Sequence, residues 1–195
     1  MVGVILAAGT STRLGRPKQL LEVGGKALVA HVADAALAAG LDEVIVVVGY
    51  QHAAIQAALG TRNLRFCLNK RFADGQSTSL VAALDAVPPG TDAVVVLLAD
   101  QPTVEPVVID RLLAKRRETR ASIVIVSYGG TTSHPTLFGR ELFVEMRGIR
   151  GDQGARKVIR RHGSAVETVD GGAVTPPPDV DTEEAYEALL AAWPS

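Results

Sequence analysis

The chain has 195 residues, 47% of them hydrophobic and 21% charged, so it is too apolar for disorder and long enough for one compact α/β domain spanning 1–195. A formal net charge of −1 excludes a global attraction to nucleic acid or an anionic membrane, so any polyanion site has to be local. The one cysteine, Cys67, cannot form an internal disulfide; in its apolar-leaning run it reads as a structural thiol, in keeping with a reducing cytoplasm.

Val2–Leu6 opens the chain without a basic segment before it and runs into a polar, glycine-rich loop. It reads as a buried first strand rather than a signal peptide. No apolar run reaches the ~20 residues needed to cross a bilayer. Ala27–Ala39 is alanine-rich and stops at Gly40, the mark of a helix C-terminus. Val44–Val48 reads as a strand, His52–Leu59 as a helix ending at Gly60, and Leu64–Leu68 as a weaker strand. Ser77–Ala86 is a helix between Gly75 and the Pro88–Pro89 pair, and Val94–Leu98 a further strand. Glu105–Glu118 puts Val108, Ile109, Leu112 and Leu113 on one helical face. Ser122–Val126 and Ala165–Val169 read as strands, Gly154–His162 and Thr182–Trp193 as helices. The strand runs are solidly apolar rather than alternating, as in a parallel sheet covered on both faces. The expected fold is α/β: a doubly wound, Rossmann-like three-layer sandwich with a mostly parallel central sheet. Ligands of such a sheet gather at the carboxyl ends of its strands.

The loop after the first strand, Leu6-Ala7-Ala8-Gly9-Thr10-Ser11-Thr12-Arg13-Leu14-Gly15-Arg16-Pro17-Lys18, combines small residues with three cations. Small residues let backbone N–H groups approach an anion, and Arg13, Arg16 and Lys18 add charge at the same place. That suits a triphosphate, with its roughly four negative charges. The loop is neither G-x-x-x-x-G-K-[ST] nor G-x-G-x-x-G, so hydride-transfer dinucleotide binding loses support. A plain surface turn with solvated basic residues is the alternative.

Further along, Gly75-Gln76-Ser77-Thr78-Ser79-Leu80 opens a helix whose backbone donors favour an acceptor-rich ligand edge; Ser77 could equally be a simple N-cap. Asp100 follows a central strand at its expected carboxyl end. A carboxylate exposed there suits Mg²⁺, which takes few protein carboxylates together with phosphate oxygens; the alternative is a turn aspartate before Pro102. Asp179-Val180-Asp181-Thr182-Glu183-Glu184 precedes the last helix, where Asp181 or Thr182 could also serve as a cap.

These segments resemble, in order and from Gly3 to Trp193, the nucleotidyltransferases of the MobA-like superfamily. The first loop is similar to that superfamily's signature. Gly75-Gln76-Ser77-Thr78-Ser79-Leu80 resembles the G-x-S-x-S-[LI] segment of its molybdenum-cofactor cytidylyltransferase branch, Asp100-Gln101-Pro102 its D-[QM]-P motif, and 179–184 its D-[IV]-D-T-x-E-[DE] ending. Ser133-His134-Pro135-Thr136-Leu137-Phe138 and Gly151-Asp152-Gln153-Gly154-Ala155-Arg156 are similar to that branch's G-H-P-x-L-F and G-D-x-G-A-R segments, with Ser133 where Gly is usual.

The resemblance implies catalytic roles for Lys18, Arg13 and Asp100. It implies a nucleotide site of Leu6, Ala7, Ala8, Gly9, Arg13, Lys18, Gly75, Ser77, Ser79 and Asp100. The acceptor would meet His134, Pro135, Asp152 and Arg156, and Mg²⁺ would be held by Asp100 and Asp181, the latter favoured over Asp179. His134 as a merely solvated loop histidine stays open.

Ala8 points within that family to the cytidylyl branch, since guanylyl relatives usually carry Leu-Ala-Gly-Gly. The implied reaction moves CMP from CTP to a molybdopterin-type acceptor and releases pyrophosphate. A recipient molybdoenzyme or its chaperone would take the product. The rivals are another phosphorylated acceptor, GTP as donor, or a molybdopterin-binding chaperone without turnover.

Overall fold

The structure, a computed structural model, describes residues 1–11, 14–151, 155–172 and 175–193. Its strands in chain order are β1 (Val2–Ala7), β2 (Glu22–Val23), β3 (Lys26–Ala27), β4 (Glu43–Val48), β5 (Arg65–Leu68), β6 (Ala93–Leu98), β7 (Ile123–Tyr128), β8 (Thr131–Gly139) and β9 (Val166–Asp170). The helices are α1 (Leu28–Ala38), α2 (His52–Leu59), α3 (Gln76–Ala86), α4 (Pro106–Thr119), α5 (Phe143–Arg147), α6 (Arg156–Arg161) and α7 (Glu183–Ala192).

Seven strands form one sheet in the order β5-β4-β1-β6-β8-β7-β9, while β2 and β3 form a small hairpin of their own. The β1–β4, β1–β6, β4–β5 and β7–β9 pairs are parallel, and β8 runs antiparallel to both its neighbours. The solid Val/Ile runs follow from burial on both faces. Val2 and Val4 point to one layer and Ile5 and Ala7 to the other, so neither side of the strand tolerates a polar residue. α3, α5 and α6 pack on the first of these faces and α1, α2 and α4 on the second. This is the three-layer, doubly wound arrangement expected from the sequence.

The strand β8 was not expected. Pro135 and the polar start Thr131-Thr132-Ser133 hide it, yet Thr136 pairs with Val96, and Phe138 with both Val94 and Ile123. The register shifts between Ile125 and Val126, so β8 bulges over 133–136. Because it is antiparallel, its beginning lies at the edge where its neighbours end. That turn of topology brings His134 and Thr136 to the carboxyl edge of the sheet.

The last helix docks on the hairpin. Leu21, Val23, Leu28, Val180 and Leu189 form a third buried cluster, with Trp193 and Tyr186 against it. The Tyr186 hydroxyl donates to the Glu22 carbonyl at 2.6 Å. Gly24 has φ +55°, and a Cβ there would lie 2.5 Å from Trp193 Nε1, so conformation and space both require glycine. Burying Val180 completely contributes about 1.5–3 kcal/mol and fixes the segment that carries Asp179 and Asp181. Among the described residues no helix is long and apolar enough to cross a membrane.

Candidate active site

The sheet changes winding direction at β1: the chain proceeds to β4 on one side and returns to β6 on the other. A crevice opens at such a switch point, outside the strands' carboxyl ends. Here it is a cleft of about 420 Å³, lined by the first loop, the start of α3, and Asp100 and Asp181.

At the head of the cleft one ammonium sits between two carboxylates. Lys18 Nζ donates to Asp181 Oδ1 at 2.6 Å and also to the Asp100 carboxylate. Lys18 begins a short 3₁₀ turn after Pro17, and Ser11 holds it there: Ser11 Oγ accepts from the Lys18 N–H at 3.0 Å. Buried Gln19 completes the brace, its Nε2 donating to the Gly9 carbonyl at 3.0 Å. Ser11 belongs to the first-loop motif but was assigned no role there, and Gln19, just past the loop, was missed. The only sequence signal for Gln19 is a polar residue directly before Leu20 and Leu21, and a buried polar side chain must find partners.

Asp100 is almost fully buried just past the end of β6. Burial raises its carboxyl pKa, with the Lys18 charge opposing. Burial also works against the Lys18 ammonium, but Asp100 and Asp181 together outweigh it and raise the Lys18 pKa. Counted as ionised groups, the triplet sets two carboxylates against one ammonium.

Thr182, not Asp181, caps α7: its Oγ1 accepts from the Ala185 N–H at 3.2 Å. Asp181 is left to face the cleft. Asp179 turns the other way, accepting at 2.7 Å from Nε2 of buried Gln101.

Leu6, Ala8, Gly9, Gly75 and Ser79 line the cleft beside Lys18 and Asp100. Two expected residues do not. Ala7 is fully buried in the core of the α1 face, because the strand's alternation turns it away. Ser77 is buried too, its backbone N–H donating to the Gly151 carbonyl at 3.1 Å. Nor is Ser77 an N-cap: Gly75, at φ 105°, holds that position without a side-chain cap. Arg13 and Asp152 lie outside the described residues.

Asn69, which motif reading also missed, ties the wall together. It is buried at the end of β5, and its Nδ2 donates to Thr78 Oγ1 at 2.9 Å and Ser79 Oγ at 3.0 Å. Its Oδ1 accepts from the Arg71 N–H at 2.9 Å. Phe72, in the turn it anchors, lines the cleft.

A second cavity, about 570 Å³, adjoins the first at Leu98. Gln101, Asp179, His134, Thr136, Arg156 and Arg160 face it. A narrow space of about 50 Å³ between Leu6, Gln76, Leu98, His134 and Arg156 lies between the two. His134 and Arg156 thus meet in one place although far apart in sequence. Pro135, by contrast, is buried and does not line the cavity. Burial lowers the His134 imidazole pKa, which keeps the ring neutral at neutral pH.

Among the described residues no cluster of three or more His, Cys, Asp or Glu side chains could hold a metal. Two carboxylates that already hold one cation between them suit an ion completed by phosphate oxygens, which is how Mg²⁺ is usually bound.

Comparison with known proteins identifies the family. Residues 3–166 match the MobA-like NTP transferase domain. The purine catabolism protein PucB of Bacillus subtilis is 30% identical, over 98% of this chain and 97% of that protein. Nicotine blue oxidoreductase of Paenarthrobacter nicotinovorans is 33% identical, over 97% and 96% respectively. The crystal structure of Rv0371c from Mycobacterium tuberculosis superposes with a TM-score of 0.86 at 32% identity, over 98% of this chain and 97% of that one. A manganese complex of Rv0371c gives a TM-score of 0.84 at 31% identity, over 98% of both chains. The chain belongs to the MobA-like NTP transferase domain family and is a nucleotidyltransferase.

Proposed function

We propose that this transferase moves CMP from CTP to the phosphate of a molybdopterin-type acceptor, releasing pyrophosphate, with the whole chain acting as one domain. The observation that carries the reading is the Lys18–Asp100–Asp181 triplet at the head of a cleft at the switch point of the sheet. A triphosphate, at roughly four negative charges, meets a triplet of two carboxylates and one ammonium, so a divalent cation has to enter with it. Asp100 and Asp181 would hold Mg²⁺, which when bound supplies charge stabilisation to the phosphate oxygens. Lys18 then turns its ammonium to the α-phosphate region, joined by Arg13. The Ser11–Gln19 brace keeps the Lys18 backbone fixed while its side chain changes partner.

The reaction is an in-line attack by an acceptor phosphate oxygen on the α-phosphorus. The bond from that phosphorus to the bridging oxygen breaks, and pyrophosphate leaves. Positioning and electrostatics carry the catalysis, without a covalent enzyme intermediate. The acceptor would approach from the second cavity, past His134 and Arg156. The product would pass, in the cytoplasm, to a recipient molybdoenzyme or its chaperone.

The test is pyrophosphate release with CTP, GTP and ATP, each against molybdopterin, a sugar phosphate and phospholactate. Release should be fastest with CTP and molybdopterin. Release with another acceptor alone would reassign the substrate, and molybdopterin binding without release would point to a chaperone.

A further inference from the structure

Asn69 follows β5 and is 4% exposed. One contact decides which way its amide faces. The Arg71 backbone N–H can only donate, so the Asn69 atom 2.9 Å from it is the carbonyl Oδ1. Nδ2 is thereby left to the hydroxyls of Thr78, at 2.9 Å, and Ser79, at 3.0 Å. An amide nitrogen carries two protons and accepts nothing, so both hydroxyl oxygens have to accept from it.

Each hydroxyl still has a proton of its own to place. Thr78 Oγ1 has the Arg71 carbonyl at 2.9 Å and the Gly75 carbonyl at 2.8 Å. A serine in a helix often turns its proton back to the carbonyl four residues earlier. For Ser79 that is Gly75, whose oxygen already accepts from the Thr78 N–H and the Thr78 hydroxyl. Among the described residues no acceptor meets the Ser79 hydroxyl, which is engaged by Asn69 alone. Ser79 is 6% exposed and borders the nucleotide cleft, the direction left for its proton. The wall there is one layer: α3 packs with Ala8 and Phe72, which line the cleft beside Gly75 and Ser79.

We propose that Asn69 is a positioning residue for nucleotide recognition: it holds the Ser79 hydroxyl as a one-way hydrogen-bond donor to an acceptor atom of the cytosine ring. The proposal rests on the nucleotidyl-transfer reading above. Asn69 does not line the cleft and acts through Ser79. A freely turning serine hydroxyl donates or accepts, and so does not tell a ring acceptor from a ring N–H. A hydroxyl whose oxygen is already engaged does, because an N–H set against it leaves the Ser79 proton unmet.

The test uses the full chain with no acceptor substrate. Affinities for CTP, 2-thio-CTP and 3-deaza-CTP are measured by calorimetry, with a melting curve for each variant. The analogues weaken or remove one ring acceptor each, O2 or N3. The wild type should bind one of them about fivefold more weakly than CTP, the worth of a neutral hydrogen bond. In Ser79→Ala that ratio should fall to about one. Asn69→Asp keeps the shape of the side chain, but its carboxylate accepts and draws the Ser79 proton back. The ratio should fall to about one here too, and adding Ser79→Ala should not change it further. Asn69→Ser removes the amide without burying a charge. It should give the same result, and it replaces Asn69→Asp if the melting curve shows that variant unfolded.

A wild-type ratio near one for both analogues would overturn the contact with the ring. A ratio kept in the Asn69 variants, with all three ligands weakened alike, would overturn the positioning role, since a merely structural residue gives that pattern. A wild type that binds none of the three would overturn the ligand class. The underlying reading fails separately, by an absence of pyrophosphate release from any nucleoside triphosphate.

Discussion

Lys18 and Asp181 are 163 positions apart in the chain and 2.6 Å apart at the head of the cleft, where Asp100 shares the same ammonium. One end of the chain thus supplies the cation and the other a carboxylate, joined because α7 docks on the β2–β3 hairpin. A cation that occupies a carboxylate pair competes with any other cation for it. Replacing Lys18 with Met removes the charge and keeps the length of the side chain. In the absence of nucleotide, the variant should bind Mn²⁺ about tenfold more tightly than the wild type, by paramagnetic resonance of the free ion. Turnover should fall at the same time. Unchanged Mn²⁺ affinity would show that the ion binds elsewhere.

Asp100→Asn should lower kcat by on the order of 10²- to 10³-fold, the scale of losing one preorganised electrostatic contact. Its backbone carbonyl still accepts from the Val180 N–H, at 3.4 Å in the wild type, so the docking of the 179–182 segment should survive. Steady-state pyrophosphate release and a melting curve read the two effects separately. Near-normal turnover at saturating Mg²⁺ would remove Asp100 from the metal site.

Ala8 separates the cleft from tight packing behind it. A Cβ on Gly49 would lie 3.0 Å from the Ala8 methyl and 2.7 Å from Phe72 Cβ, so Ala8, Gly49 and Phe72 are wedged together. Ala8→Gly frees the Phe72 ring to shift and enlarges the cleft. The ratio of kcat/KM for CTP over GTP should fall by about 1–3 kcal/mol of discrimination at most, roughly 10- to 200-fold. An unchanged ratio would show that the methyl plays no part in choosing the base.

Most of the fold could be read from the chain because burial on both sheet faces leaves a plain record: unbroken Val/Ile runs separated by helices that end at Gly40, Gly60 and Pro88. β8 left no such record. It carries Pro135 and a polar start, and only long-range pairing with Val96 and Ile125 makes it a strand. Lys18, Asp100 and Asp181 were recognisable from local motifs, whereas Asn69 and Gln19 were not. Their importance lies in what they meet across the fold, and a single buried amide or hydroxyl has no sequence signature. Ala7 and Ser77 show the reverse, since each belongs to a motif yet has a buried side chain that does not line the cleft.

Away from the cleft, Asp34 on α1 accepts from Arg62 Nε at 2.6 Å, and that hydrogen bond, ahead of burial's opposing effect, lowers its pKa to about 2. A carboxyl depressed in the folded state contributes stability above its unfolded pKa and loses it as pH falls through the folded one. The advantage of wild type over Asp34→Asn should therefore be full above 3.8 and vanish as pH drops through about 2. The pair is partly exposed, so the advantage should stay within about 1 kcal/mol. Urea unfolding of both proteins at a series of pH values checks it, and a difference that does not change with pH would contradict the ion pair.

The reaction itself is tested most directly by following the phosphorus. CTP labelled at the α-phosphate and CTP labelled at the γ-phosphate are each incubated with the protein, molybdopterin and Mg²⁺, and the labelled products are separated. The α-label should move to the acceptor and the γ-label should leave as pyrophosphate, in equal amounts and only with the divalent ion present. The contrary result is an α-label that stays off the acceptor, or a γ-label that arrives there.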